Sequence, residues 1–296
     1  MRNLMLMGVA LALTSCGGEG LDETGSVGTV QQDLSGVVKV RGGDAYTCTL
    51  RSTGQVTCWG ALTSTLPFSD YVEIAPGPHH FCALRANGDV LCQPVDSYQN
   101  VFGEANPPPS TPMADLSAGL QVTCGIRAQD NEIQCWGRND YGQANPPAGQ
   151  YERIEMGWGH GCAVRLGEPG VDCWGLNVHG QAAGYGGEVT DLSAGAYRTC
   201  YIRAADNHTF CSDGSNGVPS PGDYYVQLSA GFQHTCGLMA GGSVRCWGDN
   251  SYGQGGFFAG AFSYVGAGAN HTCRVRQRGN VVECSGKDDV GQASPP

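Results

Sequence analysis

The chain has 296 residues, of which 47 are glycine and 15 cysteine, and a formal net charge of −11. A surface this acidic repels phosphate and excludes nucleic acid as a partner. Abundant glycine with sparse charge excludes a largely helical protein and points to many short strands joined by tight turns.

Residues 1–15 begin Met1-Arg2-Asn3 and continue in an apolar run from Leu4 to Leu13. The run is too short to span a bilayer and has the layout of a secretory signal peptide. Leu13-Thr14-Ser15-Cys16 has the form of a bacterial lipobox, which predicts a lipoprotein with Cys16 diacylated as the new N-terminus. Two or three acyl chains anchor stably where one does not. Cysteine arithmetic agrees: fifteen cysteines make seven pairs and one remainder, at the lipobox position. Gly17 follows where an Asp would signal inner-membrane retention, so the expected location is the cell envelope, at the outer membrane or cell surface. Residues 16–35 combine Gly, Ser, Thr and acids with little apolar content, and read as a lipid-anchored flexible tether.

Residues 36–296 are a repeat. Cys48 with Cys58, Cys82 with Cys92, Cys124 with Cys135, Cys162 with Cys173, Cys200 with Cys211, Cys236 with Cys246 and Cys273 with Cys284 mark seven copies, whose first cysteines lie 34 to 42 residues apart. That period belongs to solenoids and propellers, and a single period from end to end reads as one closed, monomeric body.

Each unit opens on a short alternating apolar segment ending near Gly, within Val37–Val40, 71–75, 115–119, 151–157, 189–195, 225–231 and 263–268. Alternation at period two predicts a strand. A loop of two to three residues leads to a second strand carrying the first cysteine, then a turn, then a third strand reading Val-x-Cys-Trp-Gly in its fullest form. Cysteine spacings of ten and eleven differ by one residue that falls in the turn, as hairpin loops of three and four residues allow. Both cysteines then sit opposite one another on antiparallel strands, which predicts seven disulfides, each inside one hairpin. A zinc site needs about four converging ligands, and each hairpin offers two. The return segment Asn-x-Tyr-Gly-Gln, as at Asn139–Gln143 and Asn250–Gln254, is an irregular loop leaving room for a short or absent fourth strand.

The motif Ala-Gly-x-x-His-x-Cys, a Gly turn, then Val-x-Cys-Trp-Gly-x-Asn-x-Tyr-Gly-Gln resembles the regulator of chromosome condensation repeat family, over residues 36–296. The short period is closer to beta-lactamase inhibitor protein II than to the eukaryotic exchange factor. The resemblance implies an all-β, seven-bladed beta-propeller. This chain departs from the family pattern in carrying cysteine at both paired positions of all seven units. Trp59, Trp136, Trp174 and Trp247 keep the Trp of the motif and read as packing between blades, whereas Gln93, Ser212 and Ser285 replace it and predict less regular second, fifth and seventh blades.

Two residues before each first cysteine stand Tyr46, His80, Val122, His160, Arg198, His234 and His271. A ring this wide, broken by Val122 and Arg198, does not suit one metal ion, and neither metal nor cofactor is expected. The loop just before that column differs in every copy, so the scaffold does not dictate it. In the resembling inhibitor, this face presents aromatic side chains to a partner protein. Carried over by position, that nominates Leu120, Trp158, Tyr197 and Phe232, with Tyr46, His79, Gln121, Gln233 and Asn270 around them. The expected function is a protein-binding module, interaction or inhibitor-like, touching membrane only through its N-terminal lipid. A lectin-like glycan-binding propeller is the alternative, but calls for near-identical sites in several blades. No catalytic motif is present, and an enzyme would need several carboxylates converging at the axis, where the loop column offers only Asp44.

Overall fold

The computed structural model describes residues 36–95, 100–212 and 223–296; Cys16, with the predicted signal peptide and tether, lies outside them. Blade 1 consists of β1 (Val37–Gly42), β2 (Tyr46–Arg51), β3 (Val56–Gly60) and β4 (Ser64–Thr65). Blade 2 is β5 (Tyr71–Pro76), β6 (His80–Arg85) and β7 (Val90–Pro94), and blade 3 is β8 (Met113–Ala118), β9 (Val122–Arg127) and β10 (Ile133–Gly137). Blade 4 is β11 (Tyr151–Met156), β12 (His160–Arg165) and β13 (Val171–Gly175), and blade 5 is β14 (Val189–Ala194), β15 (Thr199–Arg203) and β16 (Thr209–Cys211). Blade 6 is β17 (Tyr225–Ala230), β18 (His234–Met239), β19 (Val244–Gly248) and β20 (Gly256–Phe258). Blade 7 is β21 (Phe262–Ala267), β22 (His271–Arg276) and β23 (Val282–Gly286). The sheets are antiparallel and each is built from consecutive strands, giving a seven-bladed β-propeller with the first strand of every blade innermost. A fourth strand forms in blades 1 and 6.

Among the described residues the ring closes with no strand exchanged. Ala269 N donates to Gly43 O at 2.9 Å, and Trp59 Nε1 donates to Gln292 O at 3.1 Å, so blade 7 and its return loop dock on blade 1. Strands pack against neighbours through seven apolar clusters, one between each adjacent pair of blades. Every cluster includes at least one half-cystine, so the bridge stands where an aliphatic contact would otherwise fill the interface.

In all seven blades the paired cysteines are directly opposite in register. Their Cα atoms are 4.0–4.1 Å apart, as at the non-hydrogen-bonded positions where cross-strand side chains approach closest. Turn chemistry explains the two spacings. The ten-residue hairpins turn through Gly54, Gly88 and Gly242 in the left-handed region, while three of the four eleven-residue hairpins use Asn131, Asn207 and Asn280 there, the residues that tolerate positive φ best. The expected irregularity is confined to blade 5, whose outer strand shrinks to three residues, whereas β7 and β23 keep the five residues of the regular blades.

Candidate functional site

The histidine column is an inter-blade clasp. His80, His160, His234 and His271 place Nε2 at 2.6–2.8 Å from Thr123, Thr199, Thr272 and Thr47 Oγ1 of the next blade. Each of those hydroxyls spends its one hydrogen on a return-loop carbonyl, at Glu104, Gln181, Gln254 and Gln292. The imidazole must therefore donate from Nε2, leaving Nδ1 bare, and in all four rings Nδ1 is buried without a partner among the described residues. Burial pushes these imidazoles far down, His80 to about 3 and the others to about 4. The tryptophans join the same clasp: Trp136 and Trp174 donate to Glu104 O and Gln143 O of the preceding return loop.

The return loops are regular. In five of them Asn or Asp accepts a backbone N–H five residues on (Asn100, Asn139, Asn177, Asn250, Asp288). The buried Glu or Gln accepts the N–H two residues back. The residue between is left facing out as Phe102, Tyr141, His179, Tyr252 or Val290. These loops lie on the same face as the first interstrand loops, because Arg138, Leu176, Asp249 and Lys287 N–H donate to Gln121, Gly159, Gln233 and Asn270 carbonyls.

On that face the structure brings together three of the nominated aromatics. The Trp158 ring centroid is 4.3 Å from Phe232 and 6.1 Å from Tyr197, and Tyr197 meets Phe232 at 5.4 Å and His179 edge-on at 5.5 Å. Blades 4, 5 and 6 thus contribute to one merged, part-exposed surface. Beside it, Arg138 stacks over Phe102 and Tyr141 and donates to Gln121 Oε1 at 3.2 Å. Leu120, His79, Gln121 and Asn270 are part-exposed, and Gln233 is exposed. Tyr46 is a correction: it is fully buried, and its hydroxyl is 2.7 Å from both Gly77 O and His80 O, so it ties blade 1 to blade 2 in place of a histidine. Beneath the aromatics the axis narrows to a ring of glycines. A Cβ on Gly119, Gly157, Gly195 or Gly231 would stand 2.1–2.5 Å from the next blade's carbonyl, a gap that only glycine permits.

The sequence reading missed the other half of the axis. Every innermost strand carries a β-bulge after its first residue, and its third residue then lines the channel: Lys39, Glu73, Asp115, Arg153, Asp191, Gln227 and Tyr264. The fifth residue, among them Arg41, Ser117, Glu155, Ser193 and Ser229, lines the waist. Carboxylates therefore do converge at the axis, from strands rather than loops. Several have structural work, since an innermost strand is an edge with unpaired N–H groups. Asp115, Asp191 and Gln227 accept from Ile154, Leu228 and Val265 N–H of the next blade, and Ser117, Ser193 and Ser229 accept from Met156, Ala230 and Ala267 N–H. Ser117→Ala would orphan the buried Met156 N–H, an expected loss of about 1–3 kcal/mol in urea unfolding.

Taken together, these features define a disulfide-stapled seven-bladed propeller with one asymmetric aromatic face and a charged axial channel. Residues 114–143 and 225–254, one repeat in blade 3 and one in blade 6, match the Regulator of chromosome condensation (RCC1) repeat. The ectodomain of the receptor kinase CR4 from Physcomitrella patens is similar at 25% identity and a TM-score of 0.71, over 85% of this chain and 73% of that one. The CRINKLY WD40 ectodomain of the Arabidopsis thaliana receptor kinase ACR4 is similar at 21% identity and a TM-score of 0.69, over 88% and 97%. Yeast RCC1 (Prp20), solved with Kap60 bound, is similar at 13% identity and a TM-score of 0.62, over 98% and 87%, a likeness of fold alone.

Proposed function

We propose that the chain is an exported, lipid-anchored binding module whose Leu120, Trp158, Tyr197 and Phe232 face docks a protein partner at the cell envelope. The observation that carries this reading is the merging of rings from three blades into one patch. A scaffold with seven equivalent loops has built a single asymmetric surface, which suits one extended interface, and part-exposed aromatics are the usual energetic anchors of such interfaces. The likeness to beta-lactamase inhibitor protein II supports the same face. Lipidation at Cys16 rests on the Leu13–Cys16 sequence and on the odd cysteine. A glycan-binding reading draws on a different observation, the exposed rings of Phe102, Tyr141 and Tyr252 at equivalent positions of return loops.

The test is non-reducing affinity capture from the native envelope with wild type and a Trp158→Ala, Tyr197→Ala, Phe232→Ala variant whose seven bridges are confirmed by mass. At about 2 kcal/mol or more per anchor, the variant should lose a specific protein by more than a hundredfold in affinity. Equal retention by both, or by neither, overturns the assignment, and elution of polysaccharide in place of protein selects the glycan reading. Palmitate labelling of the same preparation should disappear in Cys16→Ser.

A further inference from the structure

The aromatic face has a well at its centre. Above the glycine ring the axis opens into a space of about 80 Å³, walled by Trp158 and Phe232 and, from blade 1, by Asp44, with glycine, alanine, proline and Met156 making up the rest. Asp44 is the one ionisable side chain in that wall. It is part-exposed and, among the described residues, accepts no hydrogen bond and joins no ion pair. Lys287 is close enough to feel its charge, but that ammonium is 3.0 Å from Asp289 and lies over the Tyr252 ring. His79 also feels Asp44, yet burial holds its imidazole below the usual histidine range, so it is neutral at pH 7.

The return loops around the well add Asp140, Asp249, Asp288 and Asp289. Arg138 and Lys287 each lie against one of those acids, at 2.7 Å from Asp140 and 3.0 Å from Asp289, and Arg198 is buried and donates to Gln233 O. The uncompensated charge that an incoming partner meets is negative, which favours a basic one. Size narrows the choice further. A cavity of about 150 Å³ holds a benzene ring, so a well half that size excludes an aromatic anchor and is too small for most free ligands. A slim methylene chain fits. The stem of a lysine packs on apolar walls while carrying its ammonium to a carboxylate, and nearby rings add a cation–π attraction. Arginine would bring five donors to a single carboxylate. We propose, on the reading that this face docks a protein, that the well receives one lysine side chain of the partner, its ammonium paired with Asp44 and its stem against Trp158 and Phe232.

The test compares N-acetyl-lysine N-methylamide, whose only charge is the side-chain ammonium, with its norleucine analogue, which keeps a butyl chain and lacks the ammonium. Binding to the folded protein at pH 7 is read from the Trp158 indole N–H resonance, assigned by its loss in Trp158→Phe. The lysine probe should shift that resonance saturably and bind at least about tenfold tighter than the norleucine probe. Asp44→Asn should abolish most of that preference and leave the norleucine probe unchanged. The proposal is overturned by the absence of a saturable shift up to tens of millimolar probe, by equal affinity for the two probes, or by an undiminished preference in a folded Asp44→Asn. Should Asp44→Asn fail to fold, the two probes on wild type decide. In the envelope capture, Asp44→Asn should hold the partner at least about tenfold more weakly. A partner kept by Asp44→Asn and lost from the Trp158, Tyr197, Phe232 triple variant would sink the lysine well and leave the docking face standing, whereas a partner kept by the triple variant would sink the face itself.

Discussion

Lowering the pH from 7 to 5 is expected to cost the fold on the order of 8 kcal/mol, through four histidines that touch no ligand. His80, His160, His234 and His271 are wholly buried and titrate at about 3 to 4 in the fold, against about 6.5 in the unfolded chain. A depressed pKa means that the unfolded chain takes up the proton first. Their contribution is therefore complete above pH 6.5 and is lost as pH falls towards 4. At pH 5 each has given up about 2 kcal/mol. The structural cause is Nδ1, which gains a hydrogen with no acceptor beneath the glycine ring. Asp115, raised to about 6, works in the opposite sense but returns only about 1.4 kcal/mol at pH 5. Since domains commonly have 5–15 kcal/mol in hand, urea midpoints should fall steeply between pH 6 and 4. His234→Gln keeps an N–H for Thr272 and removes the titration, so it should flatten that limb by about 2 kcal/mol at pH 5. An unchanged limb would show that the clasp histidines are not what titrates.

The same residues show how far the sequence could be read. Cysteine spacing carries register because a hairpin bridge is possible only between opposed positions, so all seven pairs follow from counting. The histidine column was visible as a column, but its chemistry was not, because each partner threonine lies 38 or more residues away in the next blade. Tyr46 misled for that reason: in one dimension it adjoins a variable loop, while in the fold it occupies a clasp position. The axial polar residues were hidden by the bulge. Strict alternation groups Val37 with Lys39 and Arg41, yet the register shift between Val37 and Lys39 leaves Val37 in the blade interface and turns Lys39 and Arg41 to the channel. A signal was present, since the fourth residue of all seven inner strands is Val, Ile or Leu while the third is polar. Recognising it requires allowing one extra residue in each strand.

Reduction of the unfolded chain is expected to abolish refolding. Each bridge closes a loop of ten or eleven residues, for which chain entropy gives roughly 2.5–3 kcal/mol at most. The turn already brings the strands together, so part of that is not realised. Seven such contributions still approach about 20 kcal/mol as an upper figure, more than a domain's whole stability. The bridges are also packing: removing one from the cluster that holds Cys236, Cys246, Phe262 and Val265 opens a blade interface as well as freeing a hairpin. After unfolding in guanidinium with dithiothreitol, dilution into a glutathione redox pair should restore the β spectrum and monomeric elution. Dilution into dithiothreitol alone should not, and full recovery there would mean that apolar packing suffices without the bridges. The native protein should resist the same reductant, because the first cysteine of each pair is at most 1% exposed. Attack must come from the outer sulfur. Cys92, Cys135, Cys173 and Cys284 are part-exposed while Cys58, Cys211 and Cys246 are buried, so alkylation mapped by mass should find blades 2, 3, 4 and 7 opening before blades 1, 5 and 6.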